Sequence, residues 1–178
     1  MSMLHEFRAP YDRMIKATTS IVIALMSILF TYITYLVVTE VSNLGILIVS
    51  LLALLYFLIV FVPYLFSPRG FALTTKGVLI KRPLRSILIS YSEIIDFKRI
   101  SETSVMKGVR IWGSGGLYGF IGLFRISGLG KVWMYVTDRS KMILIETKRN
   151  MKYVISPSDP LTFIERLRSL APSAGQRP

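Results

Sequence analysis

The side chains that could do chemistry in this chain are few, and their spacing matches no catalytic or metal-binding pattern. The sequence has no cysteine and a single histidine, His5, which argues against thiol catalysis, a structural zinc site and a histidine-based triad. The acidic residues of the C-terminal part stand singly, at Glu93, Asp96, Glu102, Asp138, Glu146 and Asp159. Acid–base or metal chemistry would need paired carboxylates or ligand spacing. We therefore expect no catalytic residue, no metal site and no cofactor, in a protein that is not an enzyme.

A glycine-rich stretch from Gly113 to Gly130 invites comparison with nucleotide-binding loops. A Walker-type loop needs a Lys-Ser or Lys-Thr pair after its last glycine, and then a helix whose first turn holds the phosphate. Here a strand-like run from Leu123 to Ile126 stands in the middle of the stretch. We therefore expect the glycines to permit bulges, tight turns and close crossing of β-strands.

Basic residues are the remaining candidates for a binding site. The chain has a net charge of +12, and the part after Phe66 holds 19 of its 22 basic residues against seven of its ten acidic ones. Four basic residues surround two turn signals and form a candidate contact for anionic lipid headgroups: Lys76, Lys81, Arg82 and Arg85. The alternative is that the charge enforces membrane topology and solubility. Nucleic-acid binding is disfavoured because the basic residues are spread over many segments without interleaved exposed aromatic residues.

Two apolar runs must position this basic part, Ala17 to Val38 and Leu44 to Phe66. Neither contains an ionisable Asp, Glu, Lys, Arg or His, and each has about the 20 residues that a helix needs to cross a bilayer. Both runs are apolar all round, whereas core helices of a soluble protein have polar faces. The linker Thr39 to Asn43 is short, so we expect an antiparallel transmembrane hairpin over residues 17–66.

The distribution of Lys and Arg predicts the orientation of this hairpin. Basic residues precede the first run and follow the second, whereas the turn between them carries only Glu40. Both termini are therefore expected to be cytoplasmic in a two-span protein of the cell membrane. This divides the chain into an N-terminal segment (1–16), the hairpin (17–38 and 44–66), a cytoplasmic domain (67–170) and a flexible tail (171–178).

Small residues recur on one face of the first span, at Ser20, Ala24 and Ser27. Such spacing lets another helix approach closely. The neighbour is either the second span of the same hairpin or a helix of another protein.

The domain after the hairpin is predicted to be mainly β, with one C-terminal helix. Short aliphatic and β-branched runs separated by turn signals predict roughly seven strands in antiparallel meanders. Asp159 can cap a helix that begins at Pro160 and ends near Leu170. Leu161, Ile164 and Leu167 are expected to form the apolar stripe that faces the sheet, with Phe163 and Leu170 flanking it.

Specific segments resemble the bacterial and archaeal pleckstrin-homology-like (PH-like) domains that lie beside transmembrane helices. The similar segments are Phe71 to Ile80, Ile89 to Ile94, Gly115 to Phe124, Ile145 to Lys148 and Tyr153 to Pro160. The resemblance implies a transmembrane hairpin followed by a PH-like barrel capped by the C-terminal helix.

Function is expected to be binding rather than catalysis. The first hypothesis is a scaffold or accessory subunit of a membrane assembly, with a membrane protein partner or a second copy of the chain. The alternative is a module that binds anionic headgroups of membrane lipids.

Overall fold

The computed structural model describes residues 3–39, 43–105 and 108–171. Within these ranges the helices are α1 (Arg13–Val38), α2 (Asn43–Phe66), α3 (Glu102–Val105) and α4 (Pro160–Leu170). The strands are β1 (Met3–Arg8), β2 (Gly70–Thr74), β3 (Gly77–Lys81), β4 (Ile87–Ser90), β5 (Ile94–Arg99), β6 (Val109–Gly116), β7 (Gly119–Ile126), β8 (Gly130–Val136), β9 (Ile143–Thr147) and β10 (Lys152–Ile155).

The two apolar runs form the long helices α1 and α2, as predicted. α1 begins four residues before the first run because the carboxylate of Asp12 accepts a hydrogen bond from the amide of Ile15 at 2.7 Å and caps the helix. The helices pack on each other through a hydrogen bond between Ser27 and Tyr56 and a stacked pair of the Phe30 and Tyr56 rings. The turn with Glu40, at residues 40–42, lies outside the described residues.

The strands form two sheets. The first is antiparallel, in the order β1-β2-β3-β4. The second has the order β5-β9-β10-β8-β7-β6 and is antiparallel except where β8 pairs with β10 in parallel. The glycine-rich stretch contributes the hairpin β6–β7 to this sheet, so the prediction of strands in this stretch is confirmed.

The predicted barrel is not closed. In the described residues the two sheets share no ladder, and a short 3-10 turn, Tyr91–Glu93, carries the chain from β4 in one sheet to β5 in the other. The sheets therefore face each other as two layers, and their far edges, β4 and β6, stay apart. A groove lies between these edges and is lined by Ile87 of β4 and Trp112 of β6, among other residues.

Strand β1 was not foreseen from the sequence. The chain begins in the first sheet, leaves it for the helical hairpin, and returns to pair β2 alongside β1, with Phe7 opposite Phe71. The segment 1–16 thus contributes to the same sheet as residues 70–90. Only one of its six strand residues, Phe7, is buried, so its sequence pattern is too weak to mark a strand.

The main core lies between the two sheets and α4. Phe71, Phe163 and Leu167 are fully buried there. Asp159 caps α4 as predicted, since its carboxylate accepts from the amides of Leu161 and Thr162. Ile164 and Leu167 of the predicted stripe pack against the core together with Phe163. The prediction is wrong for Leu161, which is exposed.

The expected flexible tail falls almost entirely outside the described residues, which end at Ala171. Ala171 itself is buried in the core.

A second, smaller core lies on the opposite face of the six-stranded sheet and includes Phe124, Met134 and Leu144. Together the two cores bury both faces of the central strands β8, β9 and β10.

Candidate functional site

Three of the four basic residues named from the sequence lie together, at the end of β3 and in the loop that follows it: Lys81, Arg82 and Arg85. This loop contacts the end of α2, where the amide of Leu84 donates to the carbonyl of Leu65 at 3.2 Å. Lys76 precedes β3 at its opposite end, about 16 Å away at the usual rise of a strand. The four residues therefore do not form one patch.

Lys81 is already paired with an acid. Its ammonium lies 2.6 Å from the carboxylate of Glu6 on β1. This ion pair joins β3 to β1 across the intervening strand β2. The positive charge of Lys81 is therefore partly neutralised by Glu6 and is less available to an anionic ligand. Arg85 is exposed, and its carbonyl accepts a hydrogen bond of 2.7 Å from the Nε of Arg82.

Arg82 has an unusual environment for a cation. Its guanidinium lies 5.6 Å from the ring centre of Phe66 and 5.4 Å from that of Tyr135, within the range of a cation–π interaction. Within the described ranges no carboxylate forms an ion pair with it. The Nε bond to Arg85 leaves the four N–H donors of the two terminal nitrogens without a hydrogen-bond partner among the described residues.

Arg82 lies in the groove between the edges of the two sheets. The groove has a volume of about 410 Å³. It is lined mainly by aromatic and aliphatic side chains: Phe66, Ile87, Trp112, Ile121, Trp133, Tyr135, Met151 and Tyr153. A second cavity of about 310 Å³ shares Phe66, Trp112 and Ile121 with it and extends to Val62 and Pro63 on α2. The two cavities form one groove, called here the aromatic groove.

The floor of the aromatic groove is apolar enough to change the acidity of a phenol. Burial raises the pKa of Tyr135 to about 12, although the nearby Arg82 lowers it. Burial also raises the pKa of Tyr153. A low local dielectric disfavours the charged form of each hydroxyl, so both tyrosines are neutral at physiological pH.

The groove was missed in the sequence analysis. Trp133 and Tyr135 alternate along β8, which places both on the inner face of the sheet. That alternation was a readable signal for burial, but it does not tell a filled barrel from an open groove. The difference depends on the distance between β4 and β6, two strands that are not adjacent in sequence.

The tip of the β6–β7 hairpin fastens the domain to the foot of the helical hairpin, the end where α1 begins and α2 ends. The amide of Tyr118 donates to the Thr19 hydroxyl of α1 at 3.0 Å. The carbonyl of Tyr118 accepts from Ser67 at 3.0 Å, and the ring of Tyr118 packs edge-on against that of Tyr64 at 5.6 Å. One turn of the domain therefore contacts both helices.

A second fastening lies at the start of α1. The carboxylate of Asp12 is 3.1 Å from the Nε of Arg139, whose Nη1 lies 2.9 Å from Glu102. The amide of Asp12 also donates to the carbonyl of Thr137 at 2.9 Å. Asp12 and Arg139 have side chains that are only about one-sixth exposed, so water screens this pair less than a surface ion pair.

The small residues of α1 do not act as one face. Ser27 is half-buried and contacts Tyr56 of α2 at 2.8 Å between the hydroxyls. Ser20 and Ala24 are exposed. Among the three, only Ser27 contacts the second helix. Ser20 and Ala24 lie on the same side of α1, nearer its first residue, and are exposed there.

Strand β6 forms an open edge of the six-stranded sheet. Val109, Ile111 and Trp112 are exposed on it, by 70%, 48% and 58%. The ladder with β7 has an irregularity between Arg110 and Trp112. Such bulges twist an edge strand and limit uncontrolled pairing.

The side chains that could bind a metal ion or take part in catalysis do not lie together. Across the part of the chain that the structure describes, no three His, Asp or Glu side chains converge as metal ligands would. His5 accepts a hydrogen bond at its Nε2 from Arg166 of α4 at 2.7 Å, since an arginine can only donate. It therefore links β1 to α4 instead of standing free at the terminus.

Comparison with known proteins identifies the domain. The family model for the bacterial PH domain matches residues 69–171, more than half of the chain. No curated protein and no solved structure matches the sequence. PH-like domains are in general binding modules without catalytic activity.

Proposed function

Since the chain belongs to the bacterial PH domain family, we propose that it is a membrane-anchored, non-enzymatic scaffold that presents this domain to a partner protein. In this proposal the helical hairpin spans the cell membrane, and the domain and both termini lie on the cytoplasmic side. The observation that carries the proposal is the way the domain is built around the foot of the hairpin.

Membrane insertion is supported by the exposure of the helices. α1 and α2 have 26 and 24 residues, about 39 and 36 Å of helix, which exceeds a hydrocarbon core of about 30 Å. Their most apolar windows are almost entirely unburied. A core helix of a soluble protein would be covered by the rest of the fold, so lipid is the solvent that suits these surfaces.

The orientation is supported by charge at the foot of the hairpin. Five basic residues lie there, at the start of α1, just after α2 and in the loop after β3: Arg13, Lys16, Arg69, Arg82 and Arg85. Basic residues near the ends of spans favour the cytoplasmic side. Arg69 stacks on the ring of Tyr64, 4.2 Å from its centre, an arrangement suited to the membrane–water interface.

The contacts between the domain and the helical hairpin favour a scaffold over a binding domain on a flexible tether. β1 comes directly before the helical hairpin in the sequence, and β2 comes directly after it. These two strands pair with each other in the first sheet, so the domain holds the chain on both sides of the hairpin. The contacts at Tyr118 and Asp12 add two further fastenings. A domain held in this way keeps one orientation to the membrane.

The surface proposed for the partner is the open edge of β6, and the proposed occupant is an extended strand of another membrane protein. Val109 pairs with Arg125 at the end of β6 that lies away from the hairpin. Gly116, at the other end, is next to the helices, about 20 Å away along the strand. Lipid at the foot cannot cover Val109, whereas an added strand could pair with the end of the edge that contains Val109.

The test is the composition of the complex purified in mild detergent from native membranes. We expect the full-length chain to elute with a defined second protein. Val109→Lys should remove that protein, because it places a charge where the added strand would pack.

The matched control is Leu161→Lys on α4, which changes an equally exposed leucine and should leave the complex intact. Elution of the chain alone, as a monomer or as copies of itself, would contradict the proposal. Equal loss of the partner from both variants would show that β6 is not the contact.

A second candidate is the binding of anionic headgroups at the foot. The grouping of Arg69, Arg82 and Arg85 near the end of α2 favours it, because each cation near an anionic leaflet contributes about 1 kcal/mol. In mixed vesicles, the full-length protein should enrich anionic over zwitterionic lipid around itself. Combined Arg69→Glu and Arg85→Glu substitutions should abolish this enrichment, and an unchanged enrichment would contradict it.

A further inference from the structure

The aromatic groove has a composition that neither a protein strand nor a bare headgroup explains. We propose that it holds one acyl chain of an anionic phospholipid from the adjacent leaflet, with the lipid phosphate bound by Arg82. The other acyl chain remains in the bilayer beside α2. This inference rests on the membrane location proposed above but not on the partner strand at β6.

The charge in the groove points to an anionic ligand group. Arg82 is held by its Nε bond to the carbonyl of Arg85 and lines the groove. Its guanidinium has no ion-pair partner among the described residues. A planar guanidinium with free donors binds phosphate oxygens in a bidentate manner. The other side chains that line the groove carry no charge.

The rest of the groove suits a hydrocarbon chain. Beyond Arg82 the walls are formed by Trp133, Tyr153 and Met151. This part of the groove alone has a volume of about 410 Å³, which is in the range of small-molecule sites. A headgroup alone would leave these aromatic walls in contact with water. Apolar walls next to one cation match an amphiphile instead.

The groove is also open to the lipid. Its upper part is lined by Val62 and Pro63 in the last turn of α2, and Phe66 belongs to both parts. A lipid could therefore place its phosphate at the level where α2 ends without leaving the leaflet completely. The acyl chain would turn from the bilayer into the domain at Arg82.

The two tryptophans of the chain provide the assay, since both Trp112 and Trp133 line the groove. Trp133 lies three residues before the end of β8, about 10 Å from the foot. The full-length Trp112→Phe variant leaves Trp133 as the only indole. It is reconstituted in nanodiscs that contain phosphatidylglycerol or phosphatidylcholine with brominated acyl chains, and bromine quenches indole fluorescence on contact.

We expect brominated phosphatidylglycerol to quench most of the Trp133 emission. Brominated phosphatidylcholine should quench little of it, because its choline cation offsets the phosphate charge and would lie beside the cations of Arg82 and Arg85. Arg82→Gln should raise the phosphatidylglycerol fraction needed for half-quenching by about tenfold or more, since a charge-assisted bidentate contact is lost. Arg82→Lys should restore part of the effect. Unquenched emission at the same wavelength in all variants shows that the groove is intact.

The control is Arg85→Gln, which removes the same charge from the same loop but keeps the backbone carbonyl that holds Arg82. It should leave the quenching of Trp133 unchanged. An equal effect of Arg85→Gln, equal quenching by both lipids, or no quenching at all would overturn the proposal. Failure of the protein to enter nanodiscs would instead refute the membrane location on which it rests.

Discussion

Replacement of Gly119 by alanine is the sharpest test of how the β6–β7 hairpin is built. Gly119 begins β7 with a φ of +121°, and a Cβ there would lie 2.5 Å from the carbonyl oxygen of Val136. A normal carbon–oxygen contact is about 3.3 Å or longer. That oxygen belongs to the backbone of β8, so it can move only if the pairing of β7 with β8 is disturbed.

The expected cost has two parts. A non-glycine residue at such a φ costs about 2 kcal/mol, and relief of the overlap with Val136 costs about 2 kcal/mol more, as overpacking does elsewhere. A total of about 4 kcal/mol corresponds to a fall in Tm of about 8–16 °C for a chain of this size. This is a large share of a typical free energy of unfolding, which is about 5–15 kcal/mol.

Two other glycines of the same stretch serve as matched controls. Gly128 has a φ of +79° but no atom within 4 Å of an added Cβ, so Gly128→Ala should cost only the backbone strain, about 1 kcal/mol or about 2–4 °C. Gly115 is not among the residues with positive φ, and the nearest atoms to its Cβ belong to the flexible side chain of Arg110. Gly115→Ala should leave Tm unchanged.

The assay is thermal unfolding of the full-length protein in mild detergent, followed by tryptophan fluorescence. Trp112 and Trp133 lie on β6 and β8, the two strands that flank β7, so their emission reports on this part of the sheet. A Tm for Gly119→Ala within two degrees or so of that for Gly128→Ala would refute the close approach of β7 to Val136.

Three further variants test the cap, the groove floor and the hairpin. Hydrogen bonds from Thr162 lower the pKa of Asp159. The stabilisation by the Asp159 carboxylate is therefore present above pH 3.8 and lost as pH falls through the lower native pKa. Asp159→Ala should lower Tm at pH 7 but much less at acid pH. The pKa of Tyr135 is raised to about 12, so the native state should lose stability as pH rises from about 10 towards 12, and Tyr135→Phe should reduce that alkaline loss of Tm. Ser27→Ala should cost about 0.6 kcal/mol, and a double-mutant cycle with Tyr56→Phe should show coupling of that size.

The variants of the cap and of the hairpin each have a control. Asp159→Asn keeps a capping oxygen without a titrating carboxyl, so its Tm should not show the acid-dependent difference. Ser20→Ala changes the same residue type at an exposed position of α1 and should leave Tm unchanged. A loss of Tm for Ser20→Ala equal to that for Ser27→Ala would contradict the assignment of Ser27 to the interface with α2.

Most secondary-structure elements could be predicted because their signals are local. The apolar runs of α1 and α2, the turns between β2 and β4, and the Asp159 cap of α4 all depend on neighbouring residues in the sequence. Strand β1 could not be predicted in this way. Its pairing partner, β2, lies more than 60 residues away, on the other side of the helical hairpin, and its own pattern buries only Phe7.

The candidate site shows the same division. The sequence indicated Arg82 because it stands among other basic residues near a turn, and it grouped Arg82 with Lys76. In the structure Lys76 lies at the far end of β3, Lys81 is paired with Glu6, and Arg82 alone enters the aromatic groove. Proximity in sequence is a poor guide along a strand, because five residues already extend over about 16 Å.

By itself, the sequence determined the types of secondary-structure element and the surroundings that suit them. These are two helices that are apolar on every side, a basic β domain and a capped C-terminal helix. These follow from side-chain chemistry and from periods of two or four residues. Only the tertiary structure decided that strands from before and after the helical hairpin pair in one sheet. It also decided that the two sheets do not close into a barrel and that one arginine lines an apolar groove. Those features depend on distances between residues far apart in sequence, where packing of aromatic side chains and backbone contacts decides which surfaces meet.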